Sequence, residues 1–154
     1  MADAREVLQA LRERGMTLAT AESCTGGLLG SMLTAVPSSS DVYVGGVISY
    51  CNDIKHRLLG VPQELLDTYG AVSAEVSESM ASGARIVGAA SVGIGITGLA
   101  GPGGDGSGLP VGLVYVGCST RERTLHRRIC VDGSRDEVRA AACRTALELI
   151  LEQL

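Results

Sequence analysis

Short apolar, β-rich runs alternate with amphipathic helical segments along most of the chain, and this alternation leaves few folds open to it. Met16 to Ala21 is a first strand candidate. Val42 to Tyr50 is nearly continuous in apolar character, which predicts a strand buried on both faces. Ser91 to Thr97 sets Val92, Ile94 and Ile96 between small residues and predicts a third strand. The helical segments fall between these runs. Residues 3–14 carry Val7, Leu8 and Leu11 on one face and Arg5, Arg12, Glu13 and Arg14 on the other, with Gly15 as the stop. Leu28 to Ala35 follows the Gly26-Gly27 pair. Asn52 to Leu59 ends at Gly60, and Pro62 opens a helix to about Tyr69. Ser73 is placed to cap a helix through Val87, with Glu75 and Glu78 in its early turns. Pro110 to Cys118 and Thr124 to Val131 predict a hairpin. Ser134 opens a last helix with Val138, Ala142, Leu149 and Leu154 near one face. The expected fold is therefore α/β: a three-layer α/β/α sandwich with a mixed, mostly parallel sheet and a C-terminal hairpin and helix. With 154 residues, no internal repeat and no linker-like stretch, residues 1–154 read as a single domain.

Hydrophobic residues make up 45% of the chain, enough for a packed core, yet there is no Phe and no Trp. The core must then be Leu, Val, Ile, Ala and Met. The four tyrosines, Tyr43, Tyr50, Tyr69 and Tyr115, each bring a hydroxyl that needs a partner when buried. A net charge of -4 and a pI near 5.1 argue against a nucleic-acid binder. The arginines between Arg121 and Arg128 read instead as protection for an edge strand. No apolar stretch approaches the ~18 residues of a membrane span, and no secretory pattern opens the chain. Five widely spaced cysteines without a CxxC pair predict neither a disulfide framework nor a zinc site, and fit a reducing, cytoplasmic location.

Three segments exceed what a plain α/β core needs. Thr20 to Gly27 packs Glu22, Ser23, Cys24 and Thr25 against a glycine pair at a strand-to-helix turn. Free N–H groups at such a turn can hold an oxyanion, and a serine there can be a nucleophile. The same Ser23 or Thr25 reads equally as a helix N-cap. The second segment runs from Gly45 to Lys55. It delivers Tyr50 to the C-terminal end of a strand, with Asn52 and Lys55 on the following short helix. Lys55 is either a base for the serine, if burial lowers its pKa, or a solvated surface lysine. The third, Ile96 to Gly106, leaves another strand end as a glycine-rich loop that matches neither GxGxxG nor a Walker A loop. Its start at Thr97-Gly98 is expected to be better fixed than its tip. His56 and His126 read as solvated histidines, and Cys24 as a second-choice nucleophile, because its side chain should point away from that of Ser23.

In order along the chain come Ala21-Glu22-Ser23-Cys24-Thr25-Gly26-Gly27, Tyr50-x-Asn52-x-x-Lys55, Gly70-Ala71-Val72-Ser73, Ile96-Thr97-Gly98-x-Ala100-Gly101-Pro102-Gly103-Gly104, Pro110-Val111-Gly112 and Gly133-x-Arg135-x-x-Val138-Arg139. This set closely resembles the C-terminal domain family of the competence-damage-inducible protein CinA, over nearly the whole chain. The resemblance implies hydrolysis of the amide of nicotinamide mononucleotide to nicotinate mononucleotide and ammonia, with no cofactor and no metal. It implies a mononucleotide substrate, no nucleic-acid or membrane partner, and a homodimer or larger homo-oligomer. Some members carry an extra N-terminal domain for dinucleotide pyrophosphate cleavage, which is not expected here. The family's serine, tyrosine and lysine match Ser23, Tyr50 and Lys55. Ser23 would attack the carboxamide carbon and Lys55 would take its proton, directly or through Tyr50. N–H groups near Thr25, Gly26 and Gly27 would hold the oxyanion. Asn52, Thr97, Gly98 and Gly101 would line the substrate. Arg139, in preference to Arg135, would bind its phosphate. The rival readings are a non-enzymatic binding module of the competence or DNA-damage machinery on the same fold, and a serine esterase or amidase with another substrate.

Overall fold

The computed structural model describes residues 2–154. Six helices and five strands follow one another as α1 (Ala4–Glu13), β1 (Leu18–Glu22), α2 (Leu28–Thr34), β2 (Tyr43–Ile48), α3 (Asn52–Leu59), α4 (Gln63–Tyr69), α5 (Ala74–Val87), β3 (Val92–Gly98), β4 (Leu113–Ser119), β5 (Thr124–Cys130) and α6 (Arg135–Glu152). The sheet order is β2-β1-β3-β4-β5. β1 is parallel to both β2 and β3, and β3-β4-β5 are antiparallel neighbours, so four strands point one way and β4 alone is reversed. Helices α1, α2 and α6 pack their apolar faces on one side of the sheet, and α3, α4 and α5 on the other, which makes the three layers. Among the described residues no helix is long and apolar enough to cross a membrane.

The caps follow the chemistry of the sequence. Ser73 accepts from the Val76 N–H, and Ser134 forms a reciprocal capping box with Glu137. Gly15, with φ of 64°, takes the left-handed turn after α1.

One expectation is overturned. β2 is not buried on both faces: it is an edge strand whose exposure alternates, with Val44 48% and Ile48 56% exposed. Only β1 flanks it, and its register shifts opposite Leu18/Ala19, a bulge of the kind that blunts sheet edges. Burial runs through all of β1 and through all but one residue of β3 and of β4.

The two faces of β3 and β4 are unequal. Ile94, Ile96, Val114 and Val116 fill the α6 side. On the α5 side glycine replaces bulk. A Cβ on Gly95 would lie 2.5 Å from the Ser77 carbonyl, and Cβ atoms on Gly93 and Gly117 would collide with the carbonyls of Ala81 and Ser77. The backbone of α5 thus lies directly on the sheet. Gly95→Ala is expected to lower stability by about 3 kcal/mol, the upper part of the range for overpacking, because the clash is with backbone that cannot rotate away. Urea denaturation of the variant against the parent checks this.

Candidate active site

The fold creates a crevice at the C-terminal end of β1. From β1 the chain goes through α2 to β2 on one side. It then returns through α3, α4 and α5 on the opposite face to β3 on the other side. Ligands in open α/β sheets bind at such a switch point. The two-residue period of β1 then sorts its last side chains. Leu18 packs with α1, α2 and α6, whereas Ala19 and Ala21 pack with α5. Glu22 keeps the parity of Leu18 and turns to α2. Ser23 keeps the parity of Ala21, toward the layer that contains α3.

Glu22 explains the start of α2. Its carboxylate, 2% exposed, accepts from the N–H groups of Leu29 at 2.9 Å and Gly30 at 3.0 Å. The N-cap itself is Gly27, at φ 105°, with no side-chain cap. Neither Ser23 nor Thr25 therefore caps the helix. The capping alternative for Ser23 falls away, and an anion on the preceding strand does the work at the positive helix end.

Ser23 is buried, and its hydroxyl oxygen lies 2.9 Å from Lys55 Nζ. Lys55 is 1% exposed, the largest side chain among those fully buried. It also donates to the Ser49 carbonyl at 2.8 Å, and among the described residues no carboxylate pairs with it. Burial without a counter-charge pushes its pKa below the ordinary lysine value. A lysine in this state can accept a proton from the serine beside it. Cys24 also lines the cavity, but burial pushes its thiol up to about 11, so it is protonated near neutrality and a poor nucleophile.

The cavity over this pair is about 270 Å³ and is lined by Ser23, Tyr50, Asn52, Lys55, Thr97, Gly98, Gly101 and Arg135, together with neighbouring loop residues. The Thr97 hydroxyl donates to the Ala71 carbonyl at 2.7 Å, which leaves it only acceptor capacity toward the cavity. Tyr50 is 64% exposed at the rim, where its hydroxyl accepts from Arg135 at 3.4 Å. The contact between Ser23 and Lys55 is direct, so the relay through Tyr50 is not needed.

Four residues expected at the ligand stand elsewhere. Thr25, Gly26 and Gly27 do not line the cavity. The Gly26 N–H already donates to the Ser23 carbonyl at 3.1 Å. Cys24, next to the serine, lines the cavity, and its N–H stands at the position that supplies an oxyanion donor in nucleophile elbows. Arg139 lies beneath the turn, donating to the carbonyls of Cys24 at 3.2 Å and Thr25 at 3.0 Å. Arg135, one turn earlier on α6, is the arginine in the cavity, held by the Gly101 carbonyl at 2.7 Å. His56 binds the Val61 carbonyl at 2.8 Å and His126 meets Glu78 at 3.2 Å, both outside the cavity. The sequence pattern names Glu22 without a role and gives none to Asp105. Asp105, the one charge in the glycine-rich loop, lines the cavity.

Fold and site together define an α/β/α domain with a buried serine–lysine pair at its switch point. The model of the CinA C-terminal domain matches residues 2–154, and the chain belongs to that family. It is 43% identical over 148 residues to a putative competence-damage inducible protein of Caldanaerobacter subterraneus, covering 96% of this chain and 36% of that protein. The chain thus spans about a third of the length of the curated relatives it matches. Among solved structures, the competence/damage inducible protein CihA of Agrobacterium tumefaciens superposes with a TM-score of 0.92 at 41% identity, over 97% of this chain and 92% of that one. A CinA superfamily protein of Klebsiella pneumoniae gives 0.94 at 34% identity, over 97% and 94%.

Proposed function

We propose that the chain hydrolyses the carboxamide of nicotinamide mononucleotide to nicotinate mononucleotide and ammonia. The observation that carries this reading is the 2.9 Å contact between Ser23 Oγ and a buried, carboxylate-free Lys55. Ser23 Oγ attacks the carboxamide carbon as its proton passes to Lys55 Nζ. The Cys24 N–H faces the developing oxyanion, a contribution worth roughly 3–4 kcal/mol where one such donor has been removed. Lys55 returns the proton to the leaving nitrogen, and the C–N bond breaks to release ammonia. Water, deprotonated by Lys55, then cleaves the acyl ester and regenerates Ser23. Arg135 supplies the cation for the phosphate, replacing Arg139 in that role.

Incubation of the chain with nicotinamide mononucleotide is expected to release ammonia and nicotinate mononucleotide in equal amounts. If no ammonia appears with pure, folded protein, the amidase reading fails and a binding role on the same fold takes its place.

A further inference from the structure

Two side chains of opposite charge line the same cavity, Arg135 from α6 and Asp105 from the glycine-rich loop. Among the described residues no ion pair joins them: the arginine is held by Gly101 and Tyr50, and the aspartate by Ser107. Asp105 is the only carboxylate lining the cavity among the described residues. Its Oδ1 accepts from the Ser107 N–H at 3.0 Å and from the Ser107 hydroxyl. Among the described residues its other oxygen has no partner outside Asp105 itself. The turn built on Ser107 therefore orients the carboxylate and leaves half of it without such a partner. Those same bonds hold its pKa below the usual aspartate value.

An ionised carboxylate accepts hydrogen bonds and donates none. Beside a site for an anion it repels the phosphate, so a favourable contact with it needs a cationic group or O–H donors on the ligand. A sugar with two adjacent hydroxyls supplies such donors, and charge-assisted bonds of this kind are the strong ones. We propose that Asp105 accepts hydrogen bonds from the vicinal hydroxyls of the substrate's ribose and so selects ribosylated amides over free ones. The inference rests on the amidase reading for its substrate.

Asp105→Asn keeps an oxygen for Ser107 and removes the anionic acceptor. With nicotinamide mononucleotide, kcat/KM is expected to fall on the order of tenfold, through KM, with kcat within about twofold. With the 2′-deoxy analogue the parent should already be weaker, and the substitution should cost at most about twofold. Equal losses on both substrates would overturn the proposal, since they would mean attraction to the pyridinium charge or damage to the loop. No loss on either would overturn it as well. If the parent hydrolyses no amide, the amidase reading falls alone. Calorimetry with nicotinate mononucleotide then decides: a Kd raised about tenfold by Asp105→Asn supports the diol contact, and an unchanged Kd overturns it.

Discussion

Ser23→Ala is expected to reduce ammonia release from nicotinamide mononucleotide by roughly 10⁴-fold or more, the scale seen when the nucleophile of a serine hydrolase is removed. The fold should survive. Ser23 does not cap α2, whose first turn is held by Glu22 and Gly27. The Ser23 backbone N–H, which donates to the Ile96 carbonyl at 2.9 Å, is untouched by the change. What is lost is one hydrogen bond to Lys55, which still donates to Ser49. A cost of about 1–3 kcal/mol is the scale for leaving one buried polar group a partner short. Circular dichroism and thermal melting alongside the assay separate lost chemistry from lost fold. Activity retained by a folded Ser23→Ala protein would remove Ser23 as the nucleophile. Cys24 does not stand ready to replace it, with its thiol raised to about 11.

The alternation of strands and helices made the layers legible, because periodicity is local and each element carries its own. Strand order is not local, and there the reading failed: the apolar run ending at Tyr50 looks alike whether it lies in the middle of a sheet or at its edge. The site divides the same way. Ser23, Tyr50 and Lys55 are legible in the spelling of two segments, and the structure brings all three to one cavity. The role of Glu22 is not legible in that spelling because its partners, Leu29 and Gly30, are seven and eight residues away, whereas a capping search looks at the N-cap itself. Arg135 and Arg139 sit one helical turn apart on the same side of α6. Which of them reaches the cavity depends on how α6 meets the turn at Cys24 and Thr25, a tertiary matter. Burial of Lys55 was equally hidden. On α3 the structure buries Lys55 and Leu59 and leaves Leu58 53% exposed, although Leu58 and Leu59 are equally apolar candidates for the inner face.

That buried lysine gives the last expected result its two readouts. Lys55→Met preserves length and apolar bulk but cannot take a proton, so ammonia release should fall by about 10³-fold or more, within the range for loss of a positioned general base. In the parent the rate should rise with pH as the ammonium form is lost. Its midpoint should lie below the ordinary lysine value of about 10.4, since burial lowers the pKa of Lys55. The same shift acts on stability. Between the lowered folded pKa and the unfolded one, the unfolded chain holds a proton that the folded chain has released. The parent therefore gains stability as pH rises through that window, with a limiting slope of about 1.4 kcal/mol per pH unit from this group. Below the folded pKa the folded protein carries a buried ammonium, and the cost is present in full. Lys55→Met lacks this group, so parent minus variant stability, followed by urea denaturation across alkaline pH, should increase with pH. A flat difference would mean that Lys55 titrates alike in both states. The serine would then have no neutral amine beside it near neutrality, and the proton acceptor would have to be sought elsewhere in the cavity.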